Sequence, residues 1–251
     1  MATIQSEVGQ IRIFDDFIGP EWTIAETADD SMNLGMFRIV GQGIAEVDSG
    51  ITVLEADPNL NGVASLTTTD EDLHSCGLVT AKCLDVGLMA PFVLETRVQF
   101  PDLDTKEFFF GLSDYNDDAA ILEGGLVHIA TTVITNTASD FCGFHFSSEA
   151  TDSTDWHMVY NGGTTVATVL STDVDADDVA VAGEWQVLRL EVDPNGMARW
   201  YIDGVLKKTL AGAVSTSVDL ALVALLQSTA AEIQYAKLDY ILLLANRDWT
   251  V

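Results

Sequence analysis

The sequence predicts an all-β chain, an antiparallel jelly-roll β-sandwich, and three observations carry that prediction. The stretch from Gly183 to Lys208 holds two strand-period runs and two tight turns. Short apolar runs bounded by turn residues recur along the chain, and no segment has the long apolar period of an amphipathic helix. Many short antiparallel strands without long helices pack as two sheets face to face.

In the 183–208 stretch, Leu188, Leu190 and Val192 share one face of an extended segment, and Ala198, Trp200 and Ile202 resume the alternation after Asp193-Pro194-Asn195-Gly196. Proline presets φ for the turn, and Asn-Gly tolerates positive φ. Asp203-Gly204 repeats the device one strand later.

From the N-terminus, the strand-like runs are Ile11 to Phe17, Phe37 to Val40, Ile44 to Val47, Ile51 to Leu54, Gly62 to Leu66, Gly77 to Cys83, Phe92 to Phe100, Glu107 to Leu112 and Gly125 to Ile129. Within Phe92 to Phe100, Leu94, Val98 and Phe100 face one way and Glu95, Arg97 and Gln99 the other, so that strand has one wet face. Asp140 to Ser147, Trp156 to Tyr160 and Thr164 to Leu170 continue the pattern, the last two read as a hairpin across Asn161-Gly162-Gly163. Val218 to Ala231 has Ala and Leu content that suits a helix as easily as a strand, and is read as a strand followed by a loop. Apolar residues of both parities in Leu220 to Leu226 and Leu238 to Leu244 predict strands covered on both faces. No linker or fixed repeat divides the chain. It is expected to form an N-terminal arm, residues 1–13, and one sandwich domain, residues 14–251.

Eleven Lys and Arg stand against 39 Asp and Glu, a formal charge of −28. Such a surface repels phosphates and anionic lipid, so neither direct nucleic-acid binding nor membrane binding is expected. With 48% hydrophobic residues the chain nevertheless carries a packed core. MATIQSEVGQ has no basic stretch followed by an apolar run, so no secretion signal is expected, and no apolar tract reaches the roughly 20 residues of a membrane helix. Three cysteines, Cys76, Cys83 and Cys142, fit buried free thiols in a protein made in a reducing cytoplasm.

The motifs that would carry chemistry are incomplete. Glu46-Val47-Asp48, Glu55-Ala56-Asp57 and Glu191-Val192-Asp193 begin the E-x-D-x-x-E pattern of jelly-roll glycosidases, but no second Glu arrives in register. Asp173, Asp175, Asp177 and Glu184 match the acidic positions of a calcium loop, yet Asp178 occupies the place of the turn glycine. Asp114, Asn116, Asp117 and Asp118 form a second acidic loop, and calcium held loosely is the most either is expected to offer. His74-x-Cys76 and Cys142-x-x-His145 contain zinc-type ligands, but in an extended strand Cys142 shares a face with Phe144 and Phe146 while His145 points away. His128 and His157 have no Ser or Cys nucleophile motif beside them. Trp185 and Trp200 are expected in the core, with Trp22, Trp156 and Trp249 free for stacking or for anchoring the ends. No catalytic, cofactor-binding or metal-binding residue is assigned, and no enzyme activity is expected.

The run from Trp185 through Leu188, Leu190 and Val192 to Trp200-Tyr201-Ile202-Asp203-Gly204 resembles the core hairpin of concanavalin A-like domains, the laminin-G and lectin/glucanase superfamily. Leu238-Asp239-Tyr240-Ile241 resembles their closing strand. More specifically, Phe14-Asp15-Asp16-Phe17-Ile18-Gly19, the strand Phe92 to Phe100 followed by Phe109-Phe110-Gly111-Leu112-Ser113-Asp114, and this closing strand together resemble structural proteins of tailed bacteriophages. The resemblance implies a non-enzymatic virion component made in the host cytoplasm, a capsid decoration or cement protein on the head surface. Its partners would be the major capsid protein or other virion proteins and its own copies, a trimer being the candidate oligomer. The alternative it implies is a carbohydrate-binding, lectin-like module on a virion head or tail fibre, with a glycan as partner.

Overall fold

The computed structural model describes residues 3–5, 9–18, 22–23, 33–34, 36–44, 46, 50–54 and 62–248. In chain order the strands are β1 (Thr3–Gln5), β2 (Gln10–Asp15), β3 (Trp22–Thr23), β4 (Asn33–Leu34), β5 (Phe37–Val40), β6 (Gly50–Leu54) and β7 (Val63–Thr67). They continue with β8 (Ser75–Val79), β9 (Leu84–Asp85), β10 (Phe92–Gln99), β11 (Lys106–Ser113), β12 (Val127–Ala130), β13 (Val133–Asn136), β14 (Phe141–Ser147) and β15 (Asp155–Asn161). The last six are β16 (Asp175–Val179), β17 (Trp185–Val192), β18 (Ala198–Ile202), β19 (Val205–Leu210), β20 (Asp219–Ser228) and β21 (Tyr235–Asn246).

These strands form the expected antiparallel sandwich. The first sheet runs β19-β18-β17-β10-β21-β7-β6-β3, with β2 sharing the far edge of β21 with β7; the second runs β16-β15-β14-β11-β20-β8-β5-β4. Leu188, Leu190, Val192, Ala198, Trp200 and Ile202 all point inward and are fully buried, paired as Leu188↔Ile202, Leu190↔Trp200 and Val192↔Ala198. The turn chemistry is as read: Gly196 has φ +74°, and Asp203 and Gly204 both have positive φ. Facing them, Phe108, Phe110 and Leu112 of β11 lie opposite Phe146, Phe144 and Cys142 of β14. Phe100, Phe108, Phe146 and Trp156 pack with ring centroids 5.0–6.2 Å apart.

The outer face of the first sheet concentrates scarce cations among acids. Arg189 pairs with Glu191 and Glu95, Arg199 with Asp193, and Arg97 with Asp239, while the Tyr240 hydroxyl donates to Glu95 at 2.7 Å. Arg97 also covers the half-buried Trp185 ring, 5.0 Å from its centroid.

Several expectations change. Residues 10–13, assigned to an arm, belong to the first sheet: β2 pairs with β21 from Gln10↔Asn246 to Asp15↔Ile241, so the sheet begins ahead of residue 13. Thr164 to Leu170 is not the hairpin partner of β15, which pairs with β14 and β16. A Cβ on Gly163 would sit 2.1 Å from the Gly212 carbonyl, and Thr165 bonds through N–H to Gly212 and through its hydroxyl to Ala211, so the chain is drawn to another loop. Trp156, expected free, is fully buried, donating its indole N–H to Gln186. β20 is covered on both faces, but β21 is only half-covered on its Tyr240, Leu242 and Leu244 side. Ile44 lies in a turn; Val47, Asp48, the Glu55-Ala56-Asp57 motif, Trp249 and the Trp22 side chain lie outside the described residues. Among the described residues no helix is long and apolar enough to cross a membrane.

Candidate functional site

A third layer positions the polar cluster. Between β11 and β14 the chain makes an excursion, residues 114–138, containing the β12–β13 hairpin. Its Leu122, Leu126, Val127, Ile129 and Ile134 are buried in the same core cluster as the two sheets. Gln227 of β20 holds it down, its side-chain oxygen accepting the Leu122 N–H at 2.6 Å. This cap covers the outward-facing residues of the second sheet, which is why every residue of the run KEFFFGLS in β11 is buried.

Under the cap a row of polar side chains crosses four strands. Gln227 of β20 lies opposite Glu107 of β11, Glu107 opposite Ser147 of β14, and His145 of β14 opposite His157 of β15. Glu107 Oε1 accepts from Ser147 Oγ at 2.8 Å and is 2.8 Å from His128 Nδ1 of β12, while His128 Nε2 lies 3.7 Å from Glu149 Oε2. Burial pushes the Glu107 carboxyl above its usual value, against the pull of His128 and Ser147. His128 is raised, chiefly by its hydrogen bond to Glu107. His145 is pushed well below the ordinary histidine value by burial and by the neighbouring histidines. It does point away from Phe144, as the strand period requires, but the cap makes that face interior too.

Beside this row, Asp152 on the loop joining β14 to β15, Asp155 at the start of β15 and Asp175 at the start of β16 bring carboxylate oxygens within 4.8 Å of one another. His157, fully buried, sets Nε2 3.4 Å from Asp152 Oδ2, and neither ring nitrogen is hydrogen-bonded. Burial, then Asp175 and Asp152, raises Asp155. Three such oxygens form a donor set that suits a hard cation.

The same loop walls an open cleft of about 520 Å³ lined by Leu103, Asp104, Thr105, Ser148, Glu149, Ser153, Thr229 and Glu232. Glu232 accepts the Thr105 hydroxyl at 3.1 Å, and Gln234 donates to the same Thr105 oxygen at 2.6 Å, so one wall is held rigidly.

The motifs singled out in the sequence fare differently. Glu191 and Asp193 are taken by Arg189 and Arg199. Asp175–Val179 is strand β16, so the 173–184 stretch is no calcium loop, although Asp175 joins the trio described above. In the 114–118 loop Arg38 pairs with Asp118 and donates to the Asn116 carbonyl. His74 is engaged by Thr69 and Glu71, and the Cys76 thiol donates to the Gly50 carbonyl at 3.2 Å. Cys142 is buried in the inner core, apart in facing from His145. Glu107, His128, Glu149, Asp152 and Asp155 went unassigned in sequence because they are dispersed over 49 residues without a motif. The one signal was Glu107 beginning an otherwise apolar run.

No protein-family model matches the chain, and no curated protein matches it. Solved structures do. A protein of unknown function from Shewanella oneidensis MR-1 is similar at a TM-score of 0.58 and 10% identity, covering 99% of this chain and 92% of that one. The carbohydrate recognition domain of Emp46p, in its potassium-bound form, is similar at 0.52 and 12% identity, over 88% and 95%. A structure from work on endo-acting O-glycanases of prominent human gut microbiota is similar at 0.53 and 8% identity, over 92% and 97%. The fold is an all-β, concanavalin A-like sandwich.

Proposed function

We propose that the chain is a lectin-like module that binds a carbohydrate in the cleft between the 103–105, 148–153 and 229–232 segments. The observation that carries this is the lining: seven of the eight residues are polar and supply acceptor oxygens at a size suited to a small ligand. Sugar hydroxyls donate to such oxygens. A cation on Asp152, Asp155 and Asp175 would fix the loop that bears Glu149 and Ser153. The carbohydrate recognition domain among the similar folds agrees with this reading. Stacking contributes less than the sequence suggested, since Trp156, expected free, is fully buried, and Trp185, expected in the core, is half-buried under Arg97. Binding without turnover is favoured because Glu107, whose raised pKa would suit a general acid, is sealed beneath the cap and bonded to His128 and Ser147.

A glycan array followed by calorimetry tests this. The double variant Asp104→Ala/Glu232→Ala is expected to weaken binding of the best glycan about tenfold or more, as lost charged hydrogen bonds do. Chelation is expected to weaken it too, and Asp155→Asn to abolish the chelator's effect. Absence of any glycan ligand, or hydrolysis of the bound glycan, would overturn the reading.

One observation favours a second reading, the virion structural protein with protein partners. Val133, Val166, Val169, Leu170, Val179, Val181, Val205 and Leu206 are all exposed. They gather on one flank, because Lys207 pairs with Asp178, Lys208 donates to the Asp173 carbonyl, and the Ile134 N–H donates to Val169. β16 and β19 are the edge strands there. An exposed apolar edge on so acidic a chain is suited to another protein surface, here a second copy or a capsid protein. Sedimentation is expected to show self-association that Val169→Glu/Leu206→Glu abolishes. A monomer throughout, without lattice density in electron cryomicroscopy of purified particles, would refute this role.

A further inference from the structure

Two buried side chains under the cap carry polar atoms that the protein leaves unpaired. Glu107 is fully buried, and its Oε2 accepts no hydrogen bond; His145 is fully buried, and neither ring nitrogen is hydrogen-bonded. Leaving such an atom unpaired costs stability, and an ion is one of the few ways to satisfy it. The two residues adjoin. His145 Nε2 is 3.9 Å from Glu107 Oε1, which lies 2.8 Å from His128 Nδ1. One ligand atom from each of Glu107, His128 and Glu149 lies within 4.8 Å of the other two.

We propose that Glu107, His128 and Glu149, with His145 beside them, form a binding site for a divalent transition metal of the zinc class. Imidazole nitrogen selects zinc over calcium or magnesium, which prefer oxygen throughout. Four ligands at about 2.0–2.2 Å around a tetrahedral centre stand roughly 3.3–3.6 Å apart. One ligand atom each from Glu107, His128 and Glu149 lies within 4.8 Å of the others, so rotamer shifts of about an ångström bring the set to that spacing. Ser147 already holds Oε1 and leaves Oε2 to meet the metal. Glu149 is exposed on the wall of the cleft and is the ligand at the solvent end of the site. On binding, the ligating nitrogen of His128 must be free of its proton: a charged imidazole releases one proton to solvent, a neutral one carries its proton on the other ring nitrogen, and Glu107 binds as the carboxylate. This site does not depend on the carbohydrate reading.

The test is calorimetric titration of zinc into chelator-stripped protein, with cobalt(II) absorption reporting geometry. One zinc per chain and a tetrahedral cobalt spectrum are expected, with affinity falling about 100-fold in His128→Ala and about tenfold in Glu149→Ala. Glu149 is a surface residue, so its variant keeps the fold, which circular dichroism verifies. Asp155→Asn is expected to leave zinc binding intact. Lack of stoichiometric zinc, an octahedral cobalt spectrum, unchanged affinity in both variants, or loss in Asp155→Asn instead would each overturn the proposal.

Discussion

Trp200→Ala is expected to destabilise the fold by about 3–5 kcal/mol, the range for truncating a large buried aromatic. Trp200 is fully buried on β18 of the first sheet, and its indole N–H crosses the sandwich to donate to the Gly143 carbonyl of β14 at 2.9 Å. Truncation therefore opens a cavity between the sheets and leaves a buried carbonyl without its donor. Gly143 is part of the same fit: a Cβ there would meet the Phe110 carbonyl at 2.5 Å and the Phe109 ring at 2.8 Å. At about 2–4 °C per kcal/mol for a chain of this size, the thermal midpoint should fall roughly 6–20 °C. Trp200→Phe keeps most of the hydrocarbon and loses the hydrogen bond, so its loss should be clearly smaller. Urea denaturation of the three proteins measures this. A loss under about 1 kcal/mol for Trp200→Ala would show that the indole does not tie the sheets together.

How much of this was legible depends on how local its causes are. The 183–208 hairpin was readable because Pro194, Asn195-Gly196 and Asp203-Gly204 dictate backbone angles within a few residues, and the alternation between them is uninterrupted. Thr164 to Leu170 was misread because its apolar content suits a strand, while its actual partners, Ala211 and Gly212, lie more than 40 residues away. Trp156 and Trp185 exchange roles for a similar reason. Both begin strands of alternating pattern, and only the approach of Phe100 to one and Arg97 to the other decides which is sealed.

The candidate site was less legible still. A period of two correctly set His145 opposite Phe144, but nothing in β14 announces that its other face would be roofed. That depends on where residues 114–138 pack, a tertiary outcome carried by Leu122, Leu126 and Ile129 together with the Gln227 bond. The roof turns a would-be solvent face into an interior one, and so makes a glutamate and two histidines energetically conspicuous. The acidic trio follows the same course: Asp175 stands out for its neighbours in sequence, whereas its companions Asp152 and Asp155 come from the start of the adjoining strand β15 and the loop before it.

Alkaline pH should unfold the protein through its buried thiols. Burial raises Cys76 from 9.0 to about 12 and lifts Cys142 in the same direction, while Cys83 is exposed. The folded chain then retains two protons that the unfolded chain releases above pH 9. The stability from these groups is therefore complete below pH 9 and declines as pH rises toward their folded values. The slope is about 1.4 kcal/mol per pH unit per thiol, so raising the pH from 9 to 11 should remove about 5 kcal/mol. Tyr240 is also raised, by burial first, and steepens the decline above pH 10. Cys76→Ala/Cys142→Ala shares that tyrosine contribution, so the difference in slope between variant and parent isolates the thiols even if the variant begins less stable. A thiol reagent supplies the independent check, expected to find one reactive group in the native chain and three in denaturant. Equal slopes with two or more native thiols reacting would mean that the core admits solvent at β8 and β14, contrary to the sealed packing of both strands.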